Sequence, residues 1–174
     1  MLWYACRLAT SDAARKRAVL AACACARLAL SGVPRGEQTP RQCIETVEAW
    51  TRGEATLQEV QRAAVHTRRV FHDTLCYSTV YAADAAADAA LCADSAATKG
   101  YFAPAARGNM AGYAASCIAA AAIAALSQAD NHATDHRGWA AGKTWTLTRC
   151  AHIVRRHFPT PPAPTTARKG CCYG

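Results

Sequence analysis

Hydrophobic positions recur along this chain at helical spacing. In residues 39–54, TPRQCIETVEAWTRGE, Ile44, Val47 and Trp50 fall three apart on one helical face. Thr39 reads as the cap of that helix, Pro40 as its first residue, Gln42 as the residue reaching back to the cap, and Gly53 as its stop. Thr56 and Glu59 form a second capping box, after which Leu57, Val60, Ala64, Phe71 and Leu75 trace one face. Arg62, His66, Arg68 and Arg69 take the other faces. Ser11-Asp12 starts an earlier helix that should reach about Leu30, preceded by a short helix or arm carrying Trp3, Tyr4 and Leu8. Ser78-Thr79 restarts a helix that continues to Thr98. Asn109 is expected to cap a helix from Met110 to Leu126, so apolar that burial on several sides is predicted. Asp135 caps a last helix to about His157, with Trp139, Trp145, Cys150 and Ile153 as its buried side.

Period-two runs of β-branched residues are absent, so the elements predict an all-α fold: a compact, Ala-rich bundle of about five to six helices. Residues 1–158 are expected to form one helical domain, and residues 159–174 a Pro-rich, extended tail. Ile44, Val47, Trp50, Phe71 and Ile118 are the predicted core anchors. The chain has 174 residues, of which about a quarter are alanine. Alanine lets helices approach closely but fills little space, so a homo-oligomer is expected to supplement the core.

The ten cysteines contain no C-x-x-C pair. Single cysteines among alanines, such as Cys43, Cys76, Cys92, Cys117 and Cys150, read as small buried hydrophobes in a reducing compartment. His132 and His136, beside Asp130 and Asp135, straddle a helix start and read as a solvated entrance; no metal is expected. Arg15-Lys16-Arg17 precedes AVLAACACA, and Leu20 to Cys23 mimics a lipoprotein cleavage box. The apolar run is too short for a secretion signal, and no stretch reaches membrane-spanning length, so a cytoplasmic protein without a membrane partner is expected.

The formal net charge is +8, which favours an anionic partner. No long run of Lys or Arg occurs and several arginines lie within helices, so local anion sites are preferred to a nucleic-acid surface. Neither a nucleophile elbow nor a Gly-rich phosphate loop is present, so a non-enzymatic protein without a cofactor is expected. Asp84 and Asp88 share a helical face and read as surface carboxylates. The candidate ligand-binding residues combine arginine forks with aromatic faces at helix starts: Tyr101, Phe102, Arg107 and Asn109 at one, and Arg137, Trp139 and Lys143 at another. Arg68 and Arg69 join them. The competing reading has Phe102 and Trp139 in the core and the arginines solvated.

One segment carries a resemblance. Cys25-Ala26-Arg27-Leu28-Ala29-Leu30, a loop, and then Pro40-Arg41, Ile44-Glu45, Trp50 and Arg52-Gly53-Glu54 resemble the Imm-5-like group of bacterial, Ala-rich helical immunity proteins. The match covers about Cys25 to Glu59, and composition extends it to about Ala125. The group's Gly-His-Ala element is replaced here by the region of Asp84 and Asp88. The resemblance implies a helical fold and, by the group's label, immunity to a toxin through protein–protein binding. Within the matching segment, Trp50 reads as a core anchor, and Arg41 or Arg52 as the only members to face a ligand. A +8 protein would be repelled by the basic clefts of nuclease toxins, so its toxin would have to be acidic. The preferred reading is sequestration of an anionic small molecule, such as a nucleotide immune signal, by a decoy in host–virus or inter-bacterial conflict.

Overall fold

The computed structural model describes Cys6 and residues 9–72, 77–98, 103–129 and 136–159; the side chains of residues 32, 70–72, 77–78, 103–108, 125–129 and 136–142 are outside that description. Ser11 starts the first helix through its side chain, its Oγ accepting the Ala14 N–H at 3.1 Å. This helix, α1, spans Asp12–Arg27 and tightens into a 3-10 turn over Leu28–Gly32.

The next helix, α2, spans Thr39–Arg52, and its cap differs from the predicted one. Gln38 is the capping residue, and Thr39 and Pro40 fill the first two helical positions. Glu37 takes over the capping role, its Oε1 accepting the Thr39 N–H at 2.8 Å. Hydrogen bonds from the Thr39 hydroxyl and amide hold the Glu37 carboxyl below its usual range. At the other end Gly53 adopts φ 84°, a conformation costly for any residue with a Cβ. Its N–H meets the Trp50 carbonyl at 3.0 Å and the Glu54 N–H meets the Ala49 carbonyl at 2.9 Å, which closes the helix as a Schellman motif.

Helix α3, Leu57–His72, opens on the expected capping box: the Thr56 N–H donates to Glu59 Oε2 at 2.7 Å, and the Glu59 N–H to Thr56 Oγ1 at 3.3 Å. Three helices follow: α4 (Tyr77–Ala97), α5 (Ala103–Ala129) and α6 (His136–His157). The described residues are thus all-helical, with no strand among them. None of these helices is long and apolar enough to cross a membrane.

α4 lies at the centre, packed against α1, α2, α3 and, most extensively, α5. Its alanines from Ala82 to Ala96 are buried apart from the flank bearing Asp84, Asp88, Leu91 and Asp94. Each such methyl removes little apolar surface from water, contributing roughly 0.8 kcal/mol, so close approach must compensate for small volume. Cysteines assist that approach. The described cysteines are all buried and free, and three thiols donate to carbonyls of neighbouring helices. These are Cys43 to Ala86 (3.6 Å), Cys92 to Met110 (3.7 Å) and Cys117 to Ala22 (3.2 Å).

Ile44 and Val47 are fully buried as predicted, while Trp50 and Ile118 pack against the core from its margin. The Lys16 ammonium lies 5.9 Å from the centre of the Trp50 ring. The Phe71 side chain is outside the described residues, as are Cys76 and the tail from residue 160 onward.

Two expectations for the later helices are corrected. α5 begins at Ala103, six residues before the expected cap, so Asn109 sits inside the helix. Pro104 needs no N–H partner in the first turn, and the alanines around it extend the helix backwards. Nor is α5 buried all round: Gly112, Ala115, Ser116, Ala119 and Ile123 form an exposed stripe. Among the described side chains of α6 the buried positions are Thr146, Cys150 and Val154, and Trp145 is 55 % exposed. Spacing by four from Cys150 selects Thr146, and five residues along a helix turn Trp145 roughly 140° away.

Candidate anion-binding surfaces

Helix α3 is held by an amphipathic face. Val60, Ala64 and Thr67, spaced by four and three, are buried against the bundle, and the Thr67 hydroxyl donates to the Ala63 carbonyl at 2.8 Å. The same phase turns Gln58, Arg62, Val65, His66 and Arg69 outward, where with Gln61 they line an open hollow of about 450 Å³. No carboxylate lines it. Arg62 and Arg69 are seven residues apart, roughly 10 Å along the helix, with His66 between them.

At the inner flank of α3 the charges are paired. Arg68 Nη2 lies 3.2 Å from Asp88 Oδ1, and Gln61 Nε2 donates to Asp94 Oδ1 at 2.8 Å. Asp88 has a side chain only 13 % exposed, and burial raises its carboxyl to about 6 despite the Arg68 guanidinium beside it. Burial also pushes Asp84 upward. These two were read from the sequence as surface carboxylates; they are instead partly withdrawn from water, because the central position of α4 leaves it only a narrow polar flank.

Burial keeps several of the described thiols protonated. Burial raises the Cys23 and Cys117 thiols, and it brings Cys43 to about 11. The Cys92 thiol is raised by its hydrogen bond with Cys6 and by burial. Between α1 and α6, a hydrogen bond with Cys150 raises the Cys25 thiol and lowers that of Cys150, the arrangement of a Cys25 donor and a Cys150 acceptor. No group of three or more potential metal ligands occurs among the described residues.

The ligand-binding residues expected from the sequence are dispersed rather than assembled. Arg68 and Arg69 lie on α3, the first paired with Asp88 and the second in the hollow. Asn109 is exposed on the body of α5 and does not cap that helix, whose start lies at Ala103. Arg107 is also on α5, and Arg137 and Trp139 are in the first turn of α6, but their side chains fall outside the described residues, as do Tyr101 and Phe102 entirely. Lys143 is exposed on α6. α3 packs on α2 and α4, whereas α6 packs on α1 and α5.

Among the motif-bearing residues, Arg27 and Glu48 form a bidentate pair, Nε to Oε1 at 2.9 Å and Nη2 to Oε2 at 2.8 Å, which ties the end of α1 to α2. Arg52 pairs with Glu54 at 2.7 Å, both side chains being more than half exposed. Arg41 is exposed and lines a hollow of about 340 Å³ beside Arg35 and Glu37.

Sequence reasoning missed Arg62 and His66 as partners of Arg69, although spacings of four and three were legible signals. It also missed the outer face of α6, because Trp145 was assigned to the core. No protein-family model, curated protein or solved structure matches the chain. The fold and its surfaces define an all-α bundle with an alanine and cysteine core, bearing cationic side chains on two separate outer helices.

Proposed function

We propose that the protein is a non-catalytic binder that sequesters an anionic small molecule of nucleotide type at the outward face of α3. The observation that carries this reading is the hollow lined by Arg62, His66 and Arg69, whose lining includes no carboxylate. Arginine forks take phosphate oxygens, the Gln58 and Gln61 amides offer donors and acceptors, and Val65 gives a small apolar floor. At about 450 Å³ the hollow falls within the size range of small-molecule sites. A decoy for an immune messenger remains the preferred biological setting, and a homo-oligomer would enclose a site that one copy leaves open.

The test is titration calorimetry with a panel of linear and cyclic nucleotides on the purified protein. Binding to at least one is expected, weakened about tenfold or more in the Arg62→Ala/Arg69→Ala variant, since a hydrogen bond to a charged group contributes roughly 1.5–3 kcal/mol. No heat across the panel overturns the proposal. Capture of an acidic toxin in that case would put the immunity reading of the Imm-5-like resemblance first.

A further inference from the structure

We infer that the outward face of α6 is a docking surface for the phosphate backbone of nucleic acid, independent of the α3 hollow. The 22 residues of His136–His157 contain no Asp or Glu, yet include Arg137, Lys143, Arg149, Arg155 and Arg156. This helix therefore carries five of the chain's 20 Lys and Arg and none of its 12 Asp and Glu.

Packing decides where the charges of residues 143–156 point. Thr146, Cys150 and Val154 are buried, and the opposite side presents Trp145, Arg149, His152, Arg155 and Arg156, all exposed. Trp145, Arg149, His152 and Arg156 are spaced by four, three and four, so they form one column roughly 16 Å long. The Arg149 guanidinium lies 5.4 Å from the centre of the Trp145 ring. At the far end Arg17 of α1 extends the same charge, its guanidinium 5.8 Å from the Phe158 ring. His157 registers the field there: burial and the adjacent Arg156 lower its proton affinity.

The ion pairs among the described residues fall on other helices, although Arg62 and Arg69 on α3 are likewise in none of them. The arginines with carboxylate partners are Arg15, Arg27, Arg52 and Arg68, on α1, α2 and α3. Arg17, Arg149, Arg155 and Arg156 have no carboxylate partner among the described residues. Unpaired, exposed arginines in a column are left for anions outside the chain. A membrane surface fits less well, since among the described residues α6 exposes only two large apolar side chains, Trp145 and Leu147, too few for an apolar face that enters lipid. Arginine forks match phosphate oxygens, and an exposed tryptophan offers a face on which an unpaired base can stack. Dispersal of arginines within helices, which counts against nucleic acid in the linear sequence, becomes an aligned array once the helix docks.

The test is fluorescence anisotropy with labelled 20-nucleotide single strands and 20-base-pair duplexes of unrelated sequence, across 50 to 200 mM salt. Binding is expected for either sequence, with a log–log salt slope of about −3 to −4 on duplex, from four arginine contacts at most. Arg149→Gln/Arg155→Gln/Arg156→Gln should weaken binding at least tenfold and flatten the slope by about two to three. The Arg→Lys version of the same triple variant should keep the slope, and circular dichroism checks that both variants are folded. Trp145→Ala should weaken single strands more than duplex. Arg62→Ala/Arg69→Ala should leave oligonucleotide binding unchanged, which separates this surface from the nucleotide hollow. Absence of binding at 50 mM salt, binding unaltered in a folded glutamine variant, or attachment to phosphatidylserine vesicles but not to oligonucleotides would overturn the inference.

Discussion

Asp88 is the residue at which burial and pairing can be weighed directly. Arg68 sits 3.2 Å away and favours the charged carboxylate, yet the carboxyl is raised to about 6, so loss of hydration outweighs the ion pair. The linkage follows from that sign. Between the ordinary carboxylate range near pH 4 and the folded-state value near 6, the folded chain binds more protons than the unfolded chain. This contribution is therefore favourable at low pH, is lost as pH rises through that window, and stays level above it. Glu37, whose carboxyl is lowered, acts oppositely and loses its contribution as pH falls through its folded value. Asp88→Asn isolates the first effect. The variant should melt higher than the parent at pH 7, and the gap should close towards pH 4; an equal gap at both pH values would contradict the assignment. None of this was legible from the i, i+4 spacing of Asp84 and Asp88. Spacing gives a shared face but not the depth of that face, which is set by the helices packed around α4.

At the scale of elements, the signals that read correctly are local and stereochemical. Ser11, Thr56 with Glu59, and Gly53 each act within a few residues, so sequence alone carries their geometry. Gly53 provides a clean test because a Cβ there would meet nothing within 4 Å, leaving backbone strain as the only cost. Gly53→Ala should destabilise the fold by about 1–2 kcal/mol in urea denaturation, and Gly53→Asn by less, since asparagine tolerates positive φ. Signals that failed are those that alanine erases. In α4 and α5 nearly every residue is small and apolar, so periodicity cannot say which side is buried, and α4 rather than α5 takes the centre. The start of α5 was missed for a related reason: Pro104 is compatible with both a loop and a first helical turn. On α6 the large apolar Trp145 outweighed the smaller Thr146, and the helical phase came out wrong, concealing the cationic column on the solvent side.

Across the whole molecule, stability and charge are distributed unequally, and that division can be measured. α4 is enclosed by four helices, whereas α6 packs on α5 and α1, with Thr146, Cys150 and Val154 buried and Ile153 partly buried among its described side chains. The resemblance-bearing segment belongs to the well-tied part, where Arg27 and Glu48 join α1 to α2. Local opening should follow this order, because an element with fewer buried apolar contacts detaches at lower cost. In native-state hydrogen exchange, the amides of residues 82–96 should be the slowest and those of residues 143–157 markedly faster. A saturating oligonucleotide should then slow exchange over residues 143–157 and leave α3 unchanged, and a nucleotide held by Arg62 and Arg69 should do the reverse. Uniform protection across both helices with either ligand would mean that the two surfaces act as one site, contrary to the separate packing of α3 and α6.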